Sequence, residues 1–172
     1  AYEGAAHFVG PRRLRLELPS GAREVTANQV VLAVGAQPVV PEVVADSGVD
    51  FHTSEEIMRL DELPRRLIVL GGGVIGIEMA SLFGALGVEI TLITHGPTLA
   101  KAAGADIARR FTALARERWA VHTDQEVTAV SREADGIHAR LSDGTPVVGD
   151  LLLVATGRRP STAGIGLAAA GV

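Results

Sequence analysis

Gly71-x-Gly73-x-x-Gly76 follows directly on the apolar run Leu67-Ile68-Val69-Leu70 and opens a stretch, Val74 to Leu86, that is apolar on most faces. A four-residue apolar run is strand-sized, and the stretch after the glycines has the length of a buried helix. Gly87 would cap that helix, and Val88 to Thr94 reads as the next strand. In such a strand–glycine–helix–strand unit the loop lies against the positive end of the helix, where backbone N–H groups can hold a pyrophosphate. Gly71 permits the tight turn, Gly73 lets phosphates approach, and Gly76 lets helix and strand pack closely. Val74 and Ile75, in the first helical turn, join the three glycines as candidate cofactor-binding residues. With 20 glycines in the chain the motif alone carries little, and its context carries the argument. The competing reading is a glycine-rich strand-to-helix turn that holds no ligand.

The flanking segments extend the unit. Ile107, Phe111 and Leu114 recur at helical spacing, which predicts an amphipathic helix over Asp106 to Trp119, and Val121-His122-Thr123 is a third short strand. Three alternating segments follow, near 126–132, 137–141 and 146–148, joined by turns at Asp135-Gly136 and Asp143-Gly144. Leu151 to Ala155 is another buried strand. This order describes an α/β domain, a Rossmann-like doubly wound parallel sheet with an antiparallel β-meander on its crossover.

Upstream, residues 13–18 alternate strictly and predict a half-buried strand. Ser20-Gly21 is a turn, and Glu24 to Val34 reads as the returning strand. Its end, Val30 to Val34, is apolar throughout and is expected to be buried on both faces. Pro38 and Pro41 then mark a linker, and Thr53-x-x-Glu56 has capping-box spacing for a short helix over 54–60. The expected organisation is a nucleotide domain over residues 51–158 with partial segments of another domain at 1–50 and 159–172.

The end of the second strand should select the cofactor. A carboxylate there suits the adenine ribose of NAD, and basic residues suit the 2′-phosphate of NADP. The sequence offers Thr94 and His95, with Lys101 a few residues on, so NADP is expected ahead of NAD. His95 carries charge only when protonated, and both basic groups could equally be solvated loop residues. Glu78, within a turn of the last glycine, is favoured there by the helix dipole alone, but its apolar neighbours Ile75, Ile77, Met79 and Leu82 suggest partial burial and a partner.

Composition excludes several classes. A net charge of −4 argues against nucleic acid, no apolar run is long enough to span a membrane, and the absence of cysteine removes disulfides, thiolate metal sites and thiol nucleophiles. No metal site and no catalytic residue is expected in the chain. Lack of cysteine and of a signal sequence fits a cytoplasmic location. The first residue is not Met and no polar tail closes the chain, so both ends are expected to be cuts inside a longer polypeptide.

Two more segments complete a resemblance. Leu32-Ala33-Val34-Gly35-Ala36-Gln37-Pro38 and Leu153-Val154-Ala155-Thr156-Gly157-Arg158-Arg159-Pro160 are similar to the paired "ATG-x-x-P" and "ATGR-x-P" segments of class I pyridine nucleotide-disulfide oxidoreductases. In that family they are the crossings between the FAD domain and the inserted NAD(P) domain. The stretches 52–60 and 110–119 resemble mycothione reductases, and Gly71 to Met79 resembles lipoamide dehydrogenases. The resemblance covers essentially the whole chain. It implies that segments 1–50 and 159–172 are pieces of an FAD domain, that Thr156, Gly157 and Arg158 border the nucleotide, and that Glu78 lies beside the nicotinamide.

Val74 stands where gated relatives have Tyr or Phe, Thr94 where lipoamide dehydrogenases have Glu, and Ser161 where Asn usually follows the proline. The resemblance implies an intact homodimeric enzyme that passes hydride from NAD(P)H to FAD and on to a disulfide substrate. The redox cysteine pair, the FAD glycine motif and the dimerisation domain are not in this chain, so catalysis by the chain alone is not expected. A non-enzymatic nucleotide-sensing domain and a flavin reductase with a non-disulfide acceptor remain alternatives. A short-chain dehydrogenase does not, because the sole tyrosine is Tyr2 and no Tyr-x-x-x-Lys pair exists.

Overall fold

A computed structural model describes all 172 residues, which divide into two compact units: Pro38–Arg158, and Ala1–Gln37 together with Arg159–Val172. In the smaller unit, strands β1 (Ala5–Gly10), β2 (Arg13–Leu18) and β3 (Gly21–Thr26) form an antiparallel sheet in sequence order. Its few buried side chains include Phe8 and Leu16. The short helix α4 (Leu167–Ala170) belongs to this unit, where the Phe8 N–H donates to the Ile165 carbonyl.

The returning strand is shorter than the sequence suggests. Residues 27–35 form no strand, and Val30 to Val34 is exposed rather than buried, Val31 at 88%. A strand buried on both faces needs neighbouring strands and a layer on each side, and residues 1–37 and 159–172 supply neither at this position. At the two crossings, β4 (Ala36–Pro38) and β12 (Arg158–Pro160) pair as a ribbon.

The larger unit is built on a parallel sheet. Strands β5 (Arg66–Leu70), β6 (Glu89–Ile93), β7 (Ala120–His122) and β11 (Leu151–Val154) lie in the order β11-β5-β6-β7. Helix α2 (Val74–Ala85) connects β5 to β6, and α3 (Ala105–Arg116) connects β6 to β7. The chain then makes the meander β8 (Val127–Glu133), β9 (Gly136–Leu141) and β10 (Pro146–Gly149) before returning as β11 on the far side of β5.

The continuous apolar runs exist because this sheet is covered on both faces. Leu67 and Val69 of β5 pack with Ala80 and Phe83 of α2, whereas Ile68 and Leu70 pack with Ile137, Ala139 and Leu141 of the meander. β11 repeats the division, with Leu153 on the helix side and Leu152 and Val154 on the meander side. Each such buried side chain contributes about 1.5–3 kcal/mol relative to exposure.

The core reaches upstream of residue 51. The four-residue helix α1 (Glu42–Ala45) buries Val44 in the meander-side cluster, and Val49 joins it, so residues 38–50 sit with the larger unit. Two other expectations shift. The capping box at Thr53 forms, its N–H donating to Glu56 Oε2 at 2.9 Å, but it opens only a 3-10 turn over Ile57–Arg59. Thr53 also gives its hydroxyl to Glu56, and these bonds hold that carboxyl below its ordinary range. In α3 the buried face is Ala108, Thr112 and Ala115, leaving Ile107 and Leu114 exposed. Small residues let that helix approach the sheet closely; of the bulky residues at helical spacing only Phe111 packs against the core, half-buried.

Opposite the glycine loop, the edges of β5 and β11 are tied by charge. Asp150 accepts from the Arg66 N–H at 2.9 Å and from the guanidinium Nη2 at 2.6 Å, and that Nη2 also donates to the Asp135 carbonyl at 2.7 Å. The Arg66 hydrogen bonds hold the Asp150 carboxyl below its usual value. No helix is long and apolar enough to cross a membrane.

Candidate functional site

The sheet order creates a place where consecutive connections leave in opposite directions. β5 continues into α2 on one side, whereas β11 is reached through the meander on the other. In open α/β sheets the crevice beyond the carboxyl ends of two such strands is where ligands bind. Here Gly71-Gly72-Gly73 leaves β5 and Ala155-Thr156-Gly157 leaves β11, and the two turns face each other across a cleft of about 1050 Å³. That volume lies at the upper end of small-molecule sites.

The three motif glycines do different things. Gly71 has φ +116°, and a side chain there would also collide with the Ala155 carbonyl. At Gly76 a Cβ would run into the Gly71 carbonyl oxygen, so the helix presses directly on the loop. Gly73 has ordinary extended backbone, and a Cβ there would meet nothing within 4 Å. Fold geometry therefore requires glycine at 71 and 76 but leaves the space before Gly73 empty.

Gly73 is also the N-cap of α2, with no side chain capping the helix and no acidic residue in its first turn. An uncapped helix start presents unpaired N–H groups and partial positive charge to whatever occupies the cleft. Gly72, which the motif leaves unspecified, is buried, and a Cβ there would strike Leu99 and Thr94.

The adjoining loop is firmly held. The Ala100 N–H donates to the Gly72 carbonyl at 2.9 Å, and the buried Leu99 N–H donates to Thr112 Oγ1 of α3 at 2.9 Å. Thr112 in turn donates to the Ala108 carbonyl at 2.7 Å. On either side of these anchors the loop carries His95 and Lys101, both exposed and both lining the cleft. Thr94 lies buried at the cleft wall.

On the β11 side, Thr156 donates its hydroxyl to the Val39 carbonyl at 2.6 Å, and the Gly157 carbonyl accepts from the Val39 N–H at 2.9 Å. Arg158 reaches Glu55 Oε1 at 3.0 Å. The cleft thus gathers Gly71, Gly73, Val74, Ile75, Thr94, His95, Lys101, Thr156, Gly157 and Arg158. Gly76 lies just behind it.

Glu78 departs from the expected partial burial. It is exposed on α2 and outside the cleft lining: Ile77 and Met79 turn toward the core, and Leu82, on Glu78's own face, is itself exposed. Gln125 and Glu126, after β7, and Glu42 of α1 also line the cleft. No motif marks them. The sequence signal for Gln125 is only that it follows the third strand of the sheet, whose carboxyl end faces the same crevice.

Residues 3–172 match the family described as pyridine nucleotide-disulphide oxidoreductase. The chain belongs to that family. Among curated members, mycothione reductase of Mycobacterium tuberculosis is 44% identical over 135 residues, 78% of this chain and 29% of the relative. Mercuric reductase of Streptomyces lividans is 37% identical over 174 residues, 98% of this chain and 36% of the relative.

Solved structures superpose closely on the chain. The copper(II) complex of RclA, a HOCl-induced flavoprotein disulfide reductase from Escherichia coli, gives a TM-score of 0.81 at 29% identity, covering 98% of this chain and 38% of that one. LpdA from Mycobacterium tuberculosis gives 0.80 at 27% identity, covering 100% and 39%. The chain spans about a third of the length of these relatives.

Proposed function

We propose that this chain is the NAD(P)H-binding part of an FAD-dependent disulfide oxidoreductase, with the pyrophosphate held at Gly71, Gly73 and Gly76. The observation that carries this reading is the empty space in front of Gly73, at an uncapped helix start, in the crevice between β5 and β11. A bare structural turn has no need of that space, whereas a pyrophosphate needs both the room and the N–H donors. When bound, the dinucleotide supplies a hydride for the flavin. The chain's own part is to bind and orient it: N–H groups of Val74 and Ile75 toward the phosphates, His95 and Lys101 toward the adenine ribose, and Thr156 to Arg158 along the nicotinamide half.

NADPH is the preferred form in this reading, since Thr94 cannot repel a 2′-phosphate as a carboxylate would. Glu78, exposed one turn into α2, is free to approach the nicotinamide. Residues 1–37 and 159–172 are read as pieces of the FAD domain, and the intact enzyme as a cytoplasmic homodimer reducing a disulfide substrate. The mercuric reductase among the relatives favours a second reading, in which the final acceptor is not a disulfide.

Calorimetry on Gly73→Val tests the central claim. The backbone at 73 is ordinarily extended and a Cβ there meets nothing within 4 Å, so the fold should persist while NADPH and NADH affinity is lost. Unchanged affinity in a folded variant would refute it.

A further inference from the structure

We propose that Gln125 is the residue that recognises the adenine ring, by donating its side-chain amide N–H to a ring nitrogen. This rests on the nucleotide reading above and names the contact at one end of the same cleft. A dinucleotide whose pyrophosphate lies at the glycine loop extends one nucleoside toward β11 and the other over the ends of β6 and β7. The ribose that the second strand's end contacts is the adenosine one, which puts adenine on the β6–β7 side.

Gln125 lines the cleft there, directly after β7. Its backbone N–H donates to the Thr94 carbonyl at 3.1 Å, fixing it to the end of β6. Its Oε1 accepts from Ser142 Oγ at 2.7 Å and from the Asp143 N–H at 3.2 Å, in the hairpin between β9 and β10. A backbone N–H can only donate, so the amide atom facing Asp143 must be the oxygen, and the orientation of the amide follows from chemistry. An amide oxygen has two lone pairs, and both are engaged. What Gln125 retains for a ligand is its NH₂ group, a donor only. Adenine offers N1, N3 and N7 as acceptors, so a pinned donor at this end matches a purine ring nitrogen.

The test uses the full chain, calorimetry with NADH, NADPH and AMP, and two variants. Gln125→Glu keeps an oxygen for Ser142 and the Asp143 N–H but replaces the donor with an acceptor. Gln125→Met removes both and adds no charge. Loss of one such hydrogen bond is expected to weaken NADH, NADPH and AMP alike by roughly fivefold to tenfold. In 0.5 M salt, where repulsion from the new carboxylate is screened, the loss in Gln125→Glu should remain.

Full affinity in Gln125→Glu at high salt, with or without a loss in Gln125→Met, would overturn the proposal and leave Gln125 as an anchor for the hairpin. Its failure is distinct from failure of the nucleotide reading. If the unmodified chain binds NADPH and Gly73→Val does not, the reading stands whatever Gln125 does.

Discussion

Gly73 and Gly76 stand three residues apart in one motif yet answer to different constraints. Gly73 borders open space, whereas a Cβ at Gly76 meets the Gly71 carbonyl, so packing accounts for the second, and the first is assigned to the ligand in the proposed reading. Gly76→Ala should therefore lower stability by about 1–3 kcal/mol, the usual cost of overpacking, in thermal unfolding without ligand. Gly73→Val should cost no more than about 1 kcal/mol, the loss of a favourable N-cap residue rather than overpacking. In the proposed reading the basic pair His95 and Lys101 acts on the same small scale. A solvated phosphate contact is worth about 1 kcal/mol or less. Lys101→Ala should thus weaken NADPH binding a few-fold and NADH binding hardly at all, and raising the salt should erase the difference between the cofactors. Equal responses of the two cofactors would separate Lys101 from the 2′-phosphate.

Among the elements, those set by period were legible in the sequence, and those set by partners were not. β5, α2, β6 and β11 were readable because glycine turns delimit apolar runs of the right length. α3 was readable in extent, but its buried face only in part: of Ile107, Phe111 and Leu114 at helical spacing only Phe111 packs against the core, while Ala108, Thr112 and Ala115 are the buried residues. Val30 to Val34 has the composition of a buried strand, yet whether such a run is buried depends on neighbours that local composition does not specify. Of the site, the glycines and the loop carrying His95 and Lys101 were legible from the motif, whereas Gln125 is brought in only by the packing of β7 beside β6. The tie between β5 and β11 carries its own expectation. Since Arg66 depresses the Asp150 carboxyl, the pair stabilises the fold above the ordinary aspartate value near 3.9, and that contribution is lost as pH falls through the lower folded value. Asp150→Asn should be less stable than the parent chain at pH 7, with the gap closing below about pH 3.9 in acid unfolding curves. A gap that does not narrow at all as pH falls below the ordinary aspartate value would mean that the charge is irrelevant.

For the molecule as a whole, two compact units share one chain, and the larger is entered and left through the short strands β4 and β12. The sheet order β11-β5-β6-β7 places the last strand made beside the first. β5, α2, β6, α3 and β7 follow one another in sequence as spatial neighbours and can assemble as they appear. β11 must await the whole meander, and closing that long loop is entropically slow compared with the local pairings. The glycine loop and its helix therefore exist before the wall formed by Ala155 to Arg158. During synthesis the chain would pass through a half-built stage with the β6–β7 side of the cleft in place and the β11 side still open, so on the proposed reading competence to hold a complete dinucleotide arrives only with the final strand.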